Sequence, residues 1–183
     1  LNTYIPFISY RLYLKFMTVQ INYKNRDLKK ITNNLVLFVG EKFNIGGLNK
    51  HISKSEFSYI SDLLKSSDLK KDILSFKINS KKTIFLVSIK KDIKISEIEN
   101  LGAKFLGFLN LDNNKNYIVN SDTIISNSTN NLVGYFLHGL KLKSYQFNIY
   151  KSKKDKKIIY INITGIKNKI TNQDKLRFKA IEE

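Results

Sequence analysis

Cysteine is absent from the 183-residue chain, and histidine occurs only twice, at His51 and His138. The first absence removes disulfides, thiolate nucleophiles and thiolate-held metals, and it permits a reducing compartment. The second leaves a transition metal without clustered imidazoles, and no paired-histidine helix motif exists. His51 is therefore expected in a loop and His138 on a helix, partly buried. No apolar run approaches the ~20 residues that a membrane-spanning helix needs. Phosphate-binding signatures are missing too. Gly46 and Gly47 follow a strand-like stretch and a turn near Gly40, but neither the dinucleotide fingerprint nor a Walker Lys-Ser/Thr accompanies them, so a tight turn is their expected role. Carboxylates such as Asp62, Asp68, Asp92, Glu97 and Glu99 fall mainly at helix starts and caps, without the pairing of a general acid and base. No catalytic, cofactor-binding or metal-ligating residue is assigned.

What is present describes a folded α/β chain. Hydrophobic residues make up 42% and aromatics 12%, which places the chain outside the disordered class despite a formal charge of +17. Lysine greatly outnumbers arginine, and Asn and Ile are abundant with it. An AT-rich genome produces that composition at tolerant positions, so most of the lysines are read as solvated surface. The alternative is an independent basic α/β module that holds nucleic acid or a nucleotide. Such nucleic-acid binding would be non-specific and salt-sensitive, because distributed lysines neutralise phosphates without reading bases. Met17, the single methionine, stands just before a strand-like stretch. Residues 1–16 carry no secretory pattern and are expected to be an upstream or disordered extension, with the domain proper over 17–183.

From Met17 onward the hydrophobic period alternates between two and 3.6 residues. Strands are predicted at residues 18–23, 35–39, 73–78, 83–89, 117–119 and 158–163. Ser53 and Glu56 form a capping-box pattern ahead of Phe57, Ile60, Leu63 and Leu64. Ser96 and Glu99 repeat it before Leu101, Phe105, Leu106 and Leu109. Within that helix Gly102 and Gly107 each cost about 1 kcal/mol against Ala, and close packing on the sheet would explain them. A third helix, starting near Ser128 or Thr129, carries the stripe Leu132, Val133, Phe136, Leu137 and Leu140. A fourth begins near Asn172. The short polar link 79–82 predicts a hairpin, hence a mixed sheet with helices on both faces. The basic stretch 151–157 reads as a solvated loop. Tyr145, Phe147 and Tyr150, beside Lys141, Lys143 and Lys151, are read as packing under the end of the third helix. A surface for single-stranded nucleic acid is the other possibility.

Residues 138–151, HGLKLKSYQFNIYK, resemble the end of the long helix in the amino-terminal domain of leucyl aminopeptidases. Gly139, Leu142, Tyr145, Phe147, Tyr150 and Lys151 occupy the matching positions. His138 departs from the usual Glu, Lys143 from a small residue, and Asn148 and Ile149 from an acidic-basic pair. LVLFVGE at 35–41 and TIFLVSIKK at 83–91 resemble strands of the same domain, so the likeness covers roughly 17–183. It implies a macro-domain-like α/β fold and a cytoplasmic parent enzyme. That enzyme is a homohexamer that removes amino-terminal residues from peptides with two divalent ions, zinc or manganese. The metal ligands and catalytic residues of the family belong to a carboxyl-terminal catalytic domain, so none is carried onto this chain.

Overall fold

The computed structural model describes residues 17–22, 34–111, 115–124, 131–144 and 157–165. The longest uninterrupted apolar runs form the middle of a sheet. β2 (Asn34–Gly40) is buried along nearly its whole length and β4 (Thr83–Ile89) along most of it, as expected of strands covered on both faces. Around them lie β1 (Met17–Asn22), β3 (Ile73–Lys77), β5 (Asn116–Asn120) and β6 (Lys157–Thr164). The six strands follow the order β1-β6-β5-β2-β4-β3. All neighbours are parallel except β3 and β4, the predicted hairpin. Its link is closed by Ile78 N donating to Lys82 O at 2.9 Å and Lys81 N to Asn79 Oδ1 at 2.8 Å.

Side-chain alternation divides the core in two. Val36, Phe38, Phe85, Val87, Tyr117, Val119, Ile159 and Ile161 face α2 (Ile95–Leu111) and α3 (Leu132–Ser144). Leu35, Leu37, Ile84, Leu86 and Ile118 face the other way, with Ile60 of α1 (Lys54–Leu64) and with Phe43 and Leu48 of two short 3-10 turns. The sheet is thus mixed and flanked by helices on both faces. All five predicted stripe residues of α3 are buried, as are Leu101, Phe105 and Leu109 of α2.

α2 and α3 meet through glycine. A Cβ on Gly102 would lie 1.9 Å from the Phe136 carbonyl oxygen, and one on Gly139 would lie 2.0 Å from that of Glu99. Gly102 therefore packs on α3 and not on the sheet, which corrects the sequence reading. Gly107 has nothing within 4 Å of its Cβ position, so close packing does not account for it. Lys141 extends from α3 to donate to Val19 O of the edge strand β1 at 2.9 Å.

The capping box of α1 forms as predicted: Glu56 N donates to Ser53 Oγ at 3.2 Å and Ser53 N to Glu56 Oε2 at 3.0 Å. The second box does not. α2 begins at Ile95, and Glu97, not Glu99, accepts from a backbone amide before the helix, that of Lys94, at 2.9 Å. Ser96 lies inside the first turn, while Glu99 turns to His138. The described part of α3 starts at Leu132; its expected start near 128 lies outside the described residues, as do Tyr23 and the helix expected from 172.

Glu56 also binds Lys82 at 2.6 Å, both side chains being 15% exposed. Burial alone would push the Glu56 carboxyl up, but Lys82 and the Ser53 amide and hydroxyl hold it below its ordinary value of 4.5. A lowered carboxylate adds stability above its unfolded value and loses it as pH falls through the folded one. Ser53→Ala should cost about 1 kcal/mol. The urea midpoints of the wild type and Glu56→Gln should differ at pH 7 and converge as the pH drops below 4.5. A gap that stays constant with pH would separate the cap from the charge.

Candidate functional site

Five parallel strands end on one edge of the sheet, where ligands of open α/β sheets usually bind. Here the connection after β5 is tied to the ends of β2 and β6. Thr123 Oγ1 accepts from Phe38 N and donates to Asn120 O, both at 2.9 Å. The buried Ser121 hydroxyl donates to Thr164 O at 2.9 Å. Gly40 and Asn44 exchange two backbone bonds, of 3.3 and 3.2 Å. Between them Lys42 and Phe43 adopt positive φ (54° and 58°), an uncommon conformation for side-chain-bearing residues. Burial of the Phe43 ring holds that turn in place. Gly46 and Gly47 lie in the turn that follows, and Gly46 N is taken by Asn44 Oδ1 at 3.1 Å. This is the expected tight turn, and its amide is not directed at a phosphate.

The two histidines are on opposite sides of the sheet. His51 sits in a turn, its Nδ1 3.4 Å from Asn120 Nδ2. Asn120 Oδ1 already accepts from Asp122 N at 3.0 Å, which fixes the amide orientation and makes Nδ1 the acceptor. His138, partly buried on α3 as predicted, contacts Glu99 of α2 through Nδ1 at 2.7 Å. The carboxylates serve local structure: Asp62 pairs with Lys65, Asp72 with Lys104 and Glu97 with Lys90, and Asp68 accepts from Lys70 N. Among the described residues no three His, Asp or Glu side chains converge to hold a metal ion. These residues do not fit a pair of divalent ions. Among them, too, no helix is long and apolar enough to cross a membrane.

A concavity lies elsewhere, on the α1-side face of the sheet but at its β1 end. An open groove of about 530 Å³ runs over β1, β6 and the start of β5, and its polar lining is Gln20, Asn22, Asn116, Tyr160 and Asn162. Asn22 Nδ2 donates to Asn162 Oδ1 at 3.3 Å. The sequence reading named none of these residues. Their signal was the polar alternation of Gln20 with Asn22 and of Tyr160 with Asn162 inside two predicted strands. Leu142, one of the family-matching positions, is exposed, whereas Gly139 is the helix contact described above. Tyr145, Phe147, Tyr150 and residues 151–156 of the basic stretch 151–157 lie outside the described residues, while Lys157 begins β6 instead of ending a loop.

No protein-family model matches the sequence, and no curated protein matches it either. Solved structures do. A tomato leucine aminopeptidase variant is similar over 91% of this chain and 35% of its own, with a TM-score of 0.57 and 15% identity. The cytosol aminopeptidase from Coxiella burnetii is similar over 88% of this chain and 30% of its own, with a TM-score of 0.50 and 12% identity. The chain thus spans about a third of the length of these aminopeptidases, and over that third it shares their α/β fold.

Proposed function

We propose that this chain is the amino-terminal, non-catalytic domain of a metal-dependent leucyl aminopeptidase, and that residues 17–183 form the domain. The observation that carries this reading is the uneven coverage: nine-tenths of this chain matches about one-third of an aminopeptidase chain. The likeness of residues 138–151 to the family agrees with it and gains a physical cause at Gly139, where a side chain would strike the backbone of α2. In the parent protein the domain acts as a scaffold and helps organise a homohexamer in the cytoplasm. A carboxyl-terminal catalytic domain, its partner, supplies the ligands for two zinc or manganese ions, whose chemistry is to activate water and polarise the scissile carbonyl of peptide substrates.

Joining the chain to the catalytic domain of such an aminopeptidase tests this directly. The joined protein should hydrolyse leucyl anilide, run as a hexamer by light scattering, and lose turnover only when residues of the added domain are changed. A joined protein that is active but whose assembly is unaffected by removing residues 17–183 would refute the scaffold role.

A further inference from the structure

We propose that the groove on the β1–β6–β5 face binds single-stranded nucleic acid, with Tyr160 as the stacking platform for a base. Register builds the surface. Gln20 pairs with Tyr160 and Tyr160 with Asn116, so these three side chains form one row across three strands. Asn22, Asn162 and Ile118 form the next row by the same pairing. On this same face farther along the sheet the positions are Leu35, Leu37, Ile84 and Leu86, all buried under the α1 side. The exchange of leucine and isoleucine for amides and tyrosine marks a surface built for a polar, flat ligand.

The lining selects the ligand. Tyr160 is 41% exposed, and Gln20 and Asn116 are exposed beside it. The Gln20 and Asn116 amides make no hydrogen bond to other described residues, and each carries both donors and acceptors. Among the described residues no carboxylate lines the groove, and the exposed Lys115 immediately precedes Asn116, its carbonyl accepting from Tyr160 N at 2.7 Å. An apolar helix would find little apolar surface here, and a chain of formal charge +17 repels a basic peptide. A nucleobase fits: it stacks on an aromatic ring, its edge bonds to Asn or Gln amides, and its phosphates are drawn to lysine. The base must be unstacked to reach the ring, so the ligand is a single strand and not a duplex. This site takes no part in the aminopeptidase reading, and each can fail without the other.

Fluorescence anisotropy of labelled ten-nucleotide RNA, DNA of the same sequence and the corresponding duplex, each at two salt concentrations, tests the proposal. The purified chain should bind a single strand at least about tenfold more tightly than the duplex, and the preferred sugar identifies RNA or DNA as the source. Tyr160→Ala should weaken binding by roughly 5- to 100-fold, the effect of losing one base stack. Tyr160→Phe should bind within about twofold of wild type, since the ring and not the hydroxyl is used. Lys115→Gln should reduce the salt slope by about one phosphate contact. Thermal melting confirms that the Tyr160 variants stay folded. Equal affinity for duplex and single strand, or a folded Tyr160→Ala that binds like wild type, would overturn the proposal.

Discussion

Gly102→Ala and Gly139→Ala should each destabilise the fold by about 3 kcal/mol, whereas Gly107→Ala, in the same helix as Gly102, should stabilise it by up to about 1 kcal/mol. The methyl group is the same in all three, and what it meets decides the sign. At Gly102 it meets the Phe136 carbonyl at 1.9 Å and at Gly139 the Glu99 carbonyl at 2.0 Å. Backbone cannot rotate aside as a side chain would, so α2 and α3 must move apart and loosen the core between them. At Gly107 nothing lies within 4 Å, and only the helix preference of alanine is felt. Urea midpoints of the three variants check this. Similar stability for Gly102→Ala and Gly107→Ala would mean that the helices do not cross at Gly102.

Phe105→Ala should cost about 3–5 kcal/mol, a large share of the 5–15 kcal/mol that usually holds a domain together. The ring is fully buried and sits 5.3 Å from Phe85, 5.6 Å from Phe136 and 6.3 Å from Tyr117. It joins α2 to α3 and to two strands at once, so its loss leaves a cavity that no single neighbour can fill. Phe108→Ala, a partly buried ring at the margin of the same cluster, should cost less than half as much. Denaturation curves of both variants test the ranking, and equal losses would contradict it.

The elements that sequence reading located best are those whose signals are local. β2 and β4 carry apolar runs long enough to mark central strands, and Ser53 with Glu56 states where α1 begins. Ser96 and Glu99 offered the same spacing but not the same structure, because Glu97 reached the amide of Lys94 first and Glu99 was drawn to His138 across the helix pair. Gly102 shows the limit of a lone chain position. Its sequence told of a close approach, but only the fold could say that the approaching surface is another helix. The groove failed to appear for a related reason. Polar alternation in β1 and β6 reads as an ordinary solvent face, and nothing in the sequence places these strands side by side with β5. That adjacency arises from the order β1-β6-β5, in which Tyr160 pairs with Gln20 and with Asn116, both remote from it along the chain. No catalytic residue is assigned because cysteine is missing and the two histidines are separated, and a likeness to a family whose ligands lie elsewhere implies none here.

Hydrolysis of leucyl anilide by the purified 183-residue chain, freed of host aminopeptidases and supplied in turn with manganese and zinc, tests the central claim most directly. A non-catalytic domain should give no turnover above the metal-only background, since added ions cannot create converging ligands. Metal-dependent turnover that copurifies with the chain and disappears with a chelator would contradict the assignment of the chemistry to a separate domain.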